Sequence, residues 1–294
     1  MSAVAKEPVT RDIPNYRSQL KRALPPEALK PSLKPLWLLV PNALLIAGSL
    51  YLLSAHFSYW TAPFLALLIG NCLTSLGFLA HDLAHGGMVK RPFARDLLAG
   101  ICFSGFGISP YLWRRWHNAD HHGHTQIEGE DPDHLLTMEH YKTSRILRFL
   151  YRLSPIARNL VIFGSFTFRM CQHTGMMMRR YLRQSETPIS GRIAIIAIPI
   201  LQMGGWVVLT WSLGGWAVLI WGYLLPLMVA NLFAISYIAT NHFLNPLADE
   251  RDVLASSLSV TLPKWLAWLD AWHLYFGAHV AHHLFPQASP LKGR

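Results

Sequence analysis

Fifteen histidines stand in this chain of 294 residues, and eight of them fall in three tight clusters. The first is His81-Asp-Leu-Ala-His85, the second His117-Asn-Ala-Asp-His121-His122, and the third His279-Val-Ala-His282-His283. Residues four apart on a helix project from one face. His81 and His85 can therefore share a metal ion, and so can His117 and His121. His122 is turned from His121 by about 100°. Ligands split in this way suit two metals side by side. The third cluster pairs i with i+3 and i+4 and repeats the adjacent His-His. Neutral imidazole suits iron, zinc, copper and nickel. Eight histidines exceed the four ligands of a structural zinc, so a dinuclear site is implied. Residue chemistry alone does not choose the metal.

The elements that must hold these clusters are apolar. Residues 36–55 and 59–80 carry no charge, and neither do 193–212 and 215–240. Each approaches or exceeds the ~20 residues that a membrane-spanning helix needs. Short loops join them in two pairs, the second through Leu213 and Gly214. Pro41, Pro199 and Pro226 predict kinks that neighbouring helices tolerate. Two hairpins return the chain to its starting side. Residues 1–35, 81–192 and 241–294 then share one membrane face, with every histidine cluster on it.

Charge predicts the same topology. All 26 Lys and Arg lie in 1–36, 81–192 and 241–294, and the loops near 55–61 and 211–217 have none. Basic residues mark the cytoplasmic side. The expected fold class is an all-α integral membrane protein. It has four transmembrane helices in two hairpins, and a cytosolic helical cap carries a histidine-rich di-metal site. Residues 1–294 form one domain. The Gly-rich segment 97–113 is expected to lie in the interface or to be re-entrant, because a fifth span would separate the clusters. Residues 141–183 mix Arg with apolar residues and predict an amphipathic surface helix or helix pair. Trp265, Trp268 and Trp272 predict an interfacial aromatic belt, the alternative being a wall of the substrate cavity. Asp82, Asp120, Asp131 and Asp133 are candidate acceptors for imidazole N–H groups. His124 is read as structural or supporting, and His134, His140, His173 and His273 as structural. His56 falls on the opposite membrane side.

Composition excludes other classes. Only 14% of residues are charged against 52% hydrophobic, whereas soluble domains carry about a quarter charged. The net charge of +10 is placed by topology, so it does not mark a nucleic-acid binder. Three scattered cysteines give neither a disulfide framework nor a thiolate metal site. The chain has no serine-nucleophile elbow, no H-E-x-x-H helix and no phosphate-binding glycine loop. A non-enzymatic membrane metal-binding protein is the remote alternative. A transporter of that kind would want ionisable residues inside its spans, and the four expected spans contain no Asp, Glu, Lys or Arg.

The order H-x-x-x-H, H-x-x-x-H-H and H-x-x-H-H around two apolar hairpins resembles the membrane fatty acid desaturase superfamily. That superfamily also holds hydroxylases and carotenoid ketolases. Local matches include Gly86, His122-Gly-His124-Thr125, Gly129-Glu-Asp131-Pro-Asp133, His283-Leu-Phe-Pro286 and the stretch Leu24-Pro-Pro-Glu-Ala-Leu-Lys-Pro-Ser-Leu33. The likeness runs from about residue 20 to the end.

The resemblance implies two non-haem irons held by the box histidines. His242, directly after the fourth expected span, completes a set of nine. An Asn near that histidine holds a metal-bound water in the family's desaturases, and Asn241 adjoins His242 at a different spacing. The implied reaction consumes O2 and introduces a cis double bond into a fatty-acyl chain carried by lipid, CoA or carrier protein. No haem-domain or flavin motif is present, so an external donor such as a ferredoxin or a cytochrome is implied. Membrane lipids are expected neighbours, in a setting compatible with a bacterial inner membrane. Family members commonly continue further than the eleven residues that follow His283 here. The alternative reading is a di-iron hydroxylase or carotenoid ketolase of the same superfamily.

Overall fold

The computed structural model describes residues 13–134, 136–245, 247 and 252–289. Residues 1–12 of the expected N-terminal segment and 290–294 of the C-terminal one lie outside these. The described residues form helices and connecting turns, with no strand among them.

Helix α1 (Ile13–Ala23) precedes a 3-10 turn, Lys34–Leu38, that runs into α2 (Leu39–Ala55). Helix α3 (Ala62–Ala84) runs back beside it. One polar bridge ties the pair, since Asn42 Nδ2 donates to Ser75 Oγ at 3.1 Å. Three helical stretches are long and apolar enough to cross a membrane: Lys34–Ala55, Ala62–Ala84 and Ile189–His242.

The third stretch has 54 residues and would run ~80 Å if straight. It is not straight. Helix α10 (Ile189–Leu219) breaks at Gly214 (φ 172°, ψ 30°) and Gly215 (φ 58°, ψ −142°). The second of these is a left-handed backbone that glycine adopts at little cost. Trp206 and Tyr223 stack at 5.3 Å between ring centroids. On a straight helix, seventeen residues would separate them by ~25 Å. The chain therefore folds back, passes a π-helical turn (Ile220–Leu224) and returns as α11 (Leu225–His242). Ser54 Oγ donates to Leu213 O at 2.5 Å and joins this turn to the end of α2. The reversal falls at the loop expected from sequence.

Helices α3 and α11 meet at Gly70. A Cβ added there would lie 2.5 Å from Val229 Cβ and 2.8 Å from the Pro226 carbonyl oxygen. Small residues permit such backbone approach in membrane bundles. Gly70→Ala should push the two helices apart and destabilise by about 1–3 kcal/mol, as overpacking does. A lower Tm in detergent would show it.

Segment 97–113 is two helices, α4 (Pro92–Cys102) and α5 (Pro110–Trp113), joined by a turn. That turn tucks inward. Gly105 lies against Leu73 of α3, and Gly107 (φ 66°) against Met203 of α10. A π-helix (Arg114–His121) and the short α6 (His122–His124) follow.

Residues 141–183 fall within three helices: α7 (Met138–Thr143), α8 (Arg145–Arg152) and α9 (Pro155–Arg183). Thr137, Ser144 and Ser154 cap their N-termini, satisfying backbone N–H groups that a helix start leaves open. Ile146, Phe149, Ile156 and Leu160 are exposed among arginines, the pattern of an interfacial helix. Asn231 Nδ2 donates to Thr167 Oγ1 at 3.3 Å, holding α9 along α11.

The chain closes with α12 (Val253–Ser256), α13 (Ala267–Trp272) and α14 (His279–Leu284). Trp265 and Trp268 are exposed, as an aromatic belt requires. Trp272 departs from that expectation. It turns into the core and meets Trp37 edge-on at 6.3 Å.

Candidate metal centre

Nine histidines converge at one end of the bundle. The last turn of α3 brings His81 and its C-cap His85, and the π-helix with its C-cap brings His117, His121 and His122. The end of α11 brings His242, and α14 brings His279, His282 and His283. All are buried except His282, which is partly exposed.

They sort into two groups. Donor atoms of His81, His85, His117, His122 and His282 lie within 4.8 Å of one another. Within this group His117 Nε2 is 2.9 Å from His81 Nε2 and 3.2 Å from His122 Nε2. His282 Nε2 is 3.1 Å from His122 Nε2. His121, His242 and His283 form the second group by the same criterion. His279 joins it, with Nε2 at 2.6 Å from His242 Nε2 and 3.0 Å from His283 Nε2. The rings of His122 and His283 stack at 4.2 Å across the two groups.

A regular helix would pair His117 with His121 and turn His122 away. The His117–His121 pairing is kept, with rings stacked at 5.0 Å beside Asp133, but His117 also shares a group with His122 while His121 joins His242 and His283. The cause is the π-helix, in which the His122 N–H bonds to the His117 carbonyl. This i→i+5 period places residues five apart on one side. In α14, His279 and His283 stay together and His282 diverges.

The tautomers show what the site lacks within the protein. His121 Nδ1 donates to Asp131 Oδ1 at 2.9 Å, and His242 Nδ1 to the Ser256 carbonyl at 3.3 Å. Thr125 Oγ1 gives its proton to the His121 carbonyl and so accepts from His283 Nδ1 at 3.2 Å. A neutral imidazole carries one N–H. His242 and His283 therefore present Nε2 lone pairs inward, and these two atoms are 3.2 Å apart. Two facing lone pairs repel and cannot hydrogen-bond. A cation satisfies both. In the first group, His81 Nδ1 donates to Asp82 Oδ1 at 2.7 Å, which leaves its Nε2 as an acceptor facing His117 Nε2. His85 Nε2 is buried with no hydrogen-bond partner. The donor set fits two metal ions, each bound through imidazole.

Burial, reinforced by neighbouring histidines, lowers His85, His122, His279, His282 and His283 well below the usual 6.5. They are neutral at pH 7, as metal ligands must be. His121 is the exception. Burial pushes it down, but the Asp131 and Asp133 carboxylates carry it above 6.5. The sign for the metal-free protein follows. The depressed histidines take up protons in the unfolded chain first, so stability is full above about pH 6.5 and is lost as pH falls. Thermal unfolding of chelator-treated protein should give a steady Tm from pH 8 to 7 and a falling Tm from 6.5 to 5. A flat profile would contradict the burial of neutral imidazoles.

The surrounding carboxylates match the sequence reading in three of four cases. Asp82 accepts from His81 and Asp131 from His121. Asp133 Oδ2 lies 3.6 Å from His117 Nδ1 and 3.8 Å from His121 Nδ1. Burial would raise Asp133, yet the adjacent His117 ring, the hydrogen bond from His173 and the nearby His121 hold it well below the usual carboxylate range. Asp120 does not reach the site. It accepts from the Tyr181 hydroxyl and pairs with Arg180 at 3.5 Å.

His173 was read as structural, but the fold gives it a supporting role. Its Nε2 donates to Asp133 Oδ1 at 2.9 Å from the middle of α9. No local motif marks it, because its partner lies forty residues away. His124 points outward to Glu130 at 3.3 Å, and His134 meets the Asp131 carbonyl. His56 caps α2, His140 lies on an exposed part of α7, and His273 is buried between Asn71 and Tyr237. Asn241 is fully buried, and its side-chain amide makes no hydrogen bond.

Comparison with known proteins agrees with this geometry. A relative from Synechocystis sp., an sn-1 acyl-lipid omega-3 desaturase (ferredoxin), is 24% identical, over 98% of this chain and 80% of its own. The chloroplastic omega-3 fatty acid desaturase of Ricinus communis is 23% identical over 80% of this chain. The match spans about half, 52%, of the Ricinus protein's own length. The acyl-lipid (9+3)-(E)-desaturase of Dimorphotheca sinuata is 26% identical over 92% of this chain and 76% of its own. The family profile described as fatty acid desaturase matches residues 58–290. That range takes in eight of the nine converging histidines by cluster and the ninth by position, and on it this chain belongs to the fatty acid desaturase family.

Proposed function

We propose that this chain is an O2-dependent fatty-acyl desaturase that places a cis double bond in a membrane-associated acyl chain. The observation that carries the reading is the convergence of nine imidazoles into two groups, with Nε2 lone pairs turned inward at His81, His242 and His283. His81, His85, His117, His122 and His282 would hold one iron, and His121, His242, His279 and His283 the other. Iron, when bound, supplies the redox chemistry with O2 that an unactivated methylene requires.

The protein's own residues do the rest. Asp82, Asp131, Thr125 and the Ser256 carbonyl fix ring tautomers, so each Nε2 is ready without rearrangement. The apolar bundle presents the acyl chain and excludes water from the reacting carbons. The balance is one saturated carbon pair, one O2, two electrons and two protons to one double bond and two waters. The electrons come from a separate donor protein; the Synechocystis relative is named for ferredoxin, and a donor of that class suits this chain.

In the same reading residues 1–294 act as one unit. Ile189–His242 crosses the membrane twice about Gly214–Gly215, making four spans. The metal centre and both termini lie on the basic, cytoplasmic side.

Lipid mass analysis of cells expressing the protein with a donor system, under air, tests the proposal. Acyl chains lighter by two mass units are expected. Products heavier by one oxygen, or ketone products, would replace this reading with a hydroxylase or a ketolase.

A further inference from the structure

Between α13 and α14 the chain turns inward at Leu274 and Tyr275, both held at positive φ (55° and 54°). Non-glycine residues seldom adopt that backbone, so surrounding contacts must hold it. One is a buried polar clamp. His273 has no exposed surface. Asn71 Nδ2 of α3 donates to its Nε2 at 3.3 Å, which leaves Nδ1–H to donate to the Tyr237 hydroxyl of α11 at 3.2 Å. The Trp272 carbonyl accepts from Ser75 Oγ at 2.7 Å and adds a second tie to α3.

The clamp fixes what comes next. Phe276 stacks on Phe78 of α3, with centroids 4.0 Å apart and planes 11° apart. Its ring lies 5.1 Å from the His81 ring, in the first group, and 5.3 Å from the His279 ring, in the second. It thus sits beside both groups at once, on the side of the apolar bundle. Phe276 also lines a small cavity with Ala278, Ala281, His282 and Phe285.

We propose that Phe276, stacked on Phe78 and held by the His273 clamp, is the specificity-determining wall of the site, setting which carbon pair of the acyl chain lies beside the two histidine groups. This rests on the desaturase reading above. His273 acts through Phe276 and is a positioning residue. The ring blocks the chain from sliding one methylene further, so a smaller side chain admits a different register. A methylene of fit in an apolar pocket is worth at least about tenfold in selection.

The test uses the full chain in membranes, with two readouts: double-bond position after derivatisation, and iron per protein. Phe276→Leu and Phe276→Ala should shift the ratio of positional isomers by about tenfold or more while iron stays at the parent level. His273→Ala should shift it in the same direction. His273→Gln, which keeps an acceptor for Asn71 and a donor for Tyr237, should restore it. If Phe276→Ala loses iron, the milder Phe276→Leu decides. A purely structural role lowers product and iron together without moving the bond. An unchanged isomer ratio in iron-loaded Phe276→Leu overturns the wall alone. A parent protein that makes no unsaturated chain overturns the desaturase reading and the wall with it.

Discussion

The His282→Ala protein should reach the membrane in normal amount, keep about half of the parent's iron and desaturate at least about a hundredfold more slowly. His282 is the one imidazole that α14 sends to the first group, while His279 and His283 face the second. Its Nε2 meets His122 at 3.1 Å, and its ring lies 4.5 Å from His81 and 4.7 Å from His85. Removing it leaves one lone pair fewer around that ion and a gap open to the cavity it lines. Changes to groups that merely support a ligand cost 10–100-fold in affinity or activity, about the floor for losing the ligand itself. His121→Ala should lose iron from the other group, because His121 belongs with His242 and His283. Insertion is untouched in both, since neither residue lies on an apolar helix face. Metal analysis of each purified variant beside an activity assay checks this. Full activity in either variant removes it from the ligand set.

Much of this candidate centre was legible in the sequence because eight of its nine histidines stand in three clusters at short, repeated spacings. The apolar stretches were legible because a bilayer imposes length and charge rules on any chain that crosses it. The loop at Leu213–Gly214 was visible as a short break between two long stretches, and the fold reverses within one residue of it. Pairing was harder to read. A period of 3.6 joins His117 to His121, and nothing local announces that Arg114–His121 adopts the wider π-helical turn. Long-range support was not legible at all. His173 reaches Asp133 only after α9 packs beside the boxes, and Trp272 turns inward where the core of α3 and the ring of Trp37 meet it. Such contacts depend on which helices become neighbours, and residue type leaves that open.

The second large effect concerns a residue that touches no metal. Asp131 is 4% exposed and accepts three hydrogen bonds: from His121 Nδ1 at 2.9 Å, and from the backbone N–H groups of Gln126 and Asp133 at 2.8 Å each. Oδ1 serves His121 and Asp133, and Oδ2 serves Gln126. Asn at this position keeps one acceptor oxygen and sets an N–H against one of the three donors. A buried donor left unpaired costs ~1–3 kcal/mol. Gln126 is already held at φ 63°, and its side-chain amide donates to the His242 carbonyl at 2.7 Å. Asp131 therefore orients two ligands of the second group, His121 directly and His242 through Gln126. Asp131→Asn should weaken iron binding at that group by about 10–100-fold and lower activity in step, with the first group's iron retained. Because every imidazole ligand is still present, excess iron should restore part of the activity, which it should not do in His282→Ala. Iron titration with an activity readout distinguishes the two variants. Parent-like affinity in Asp131→Asn would mean that packing alone orients His121 and that the carboxylate is dispensable.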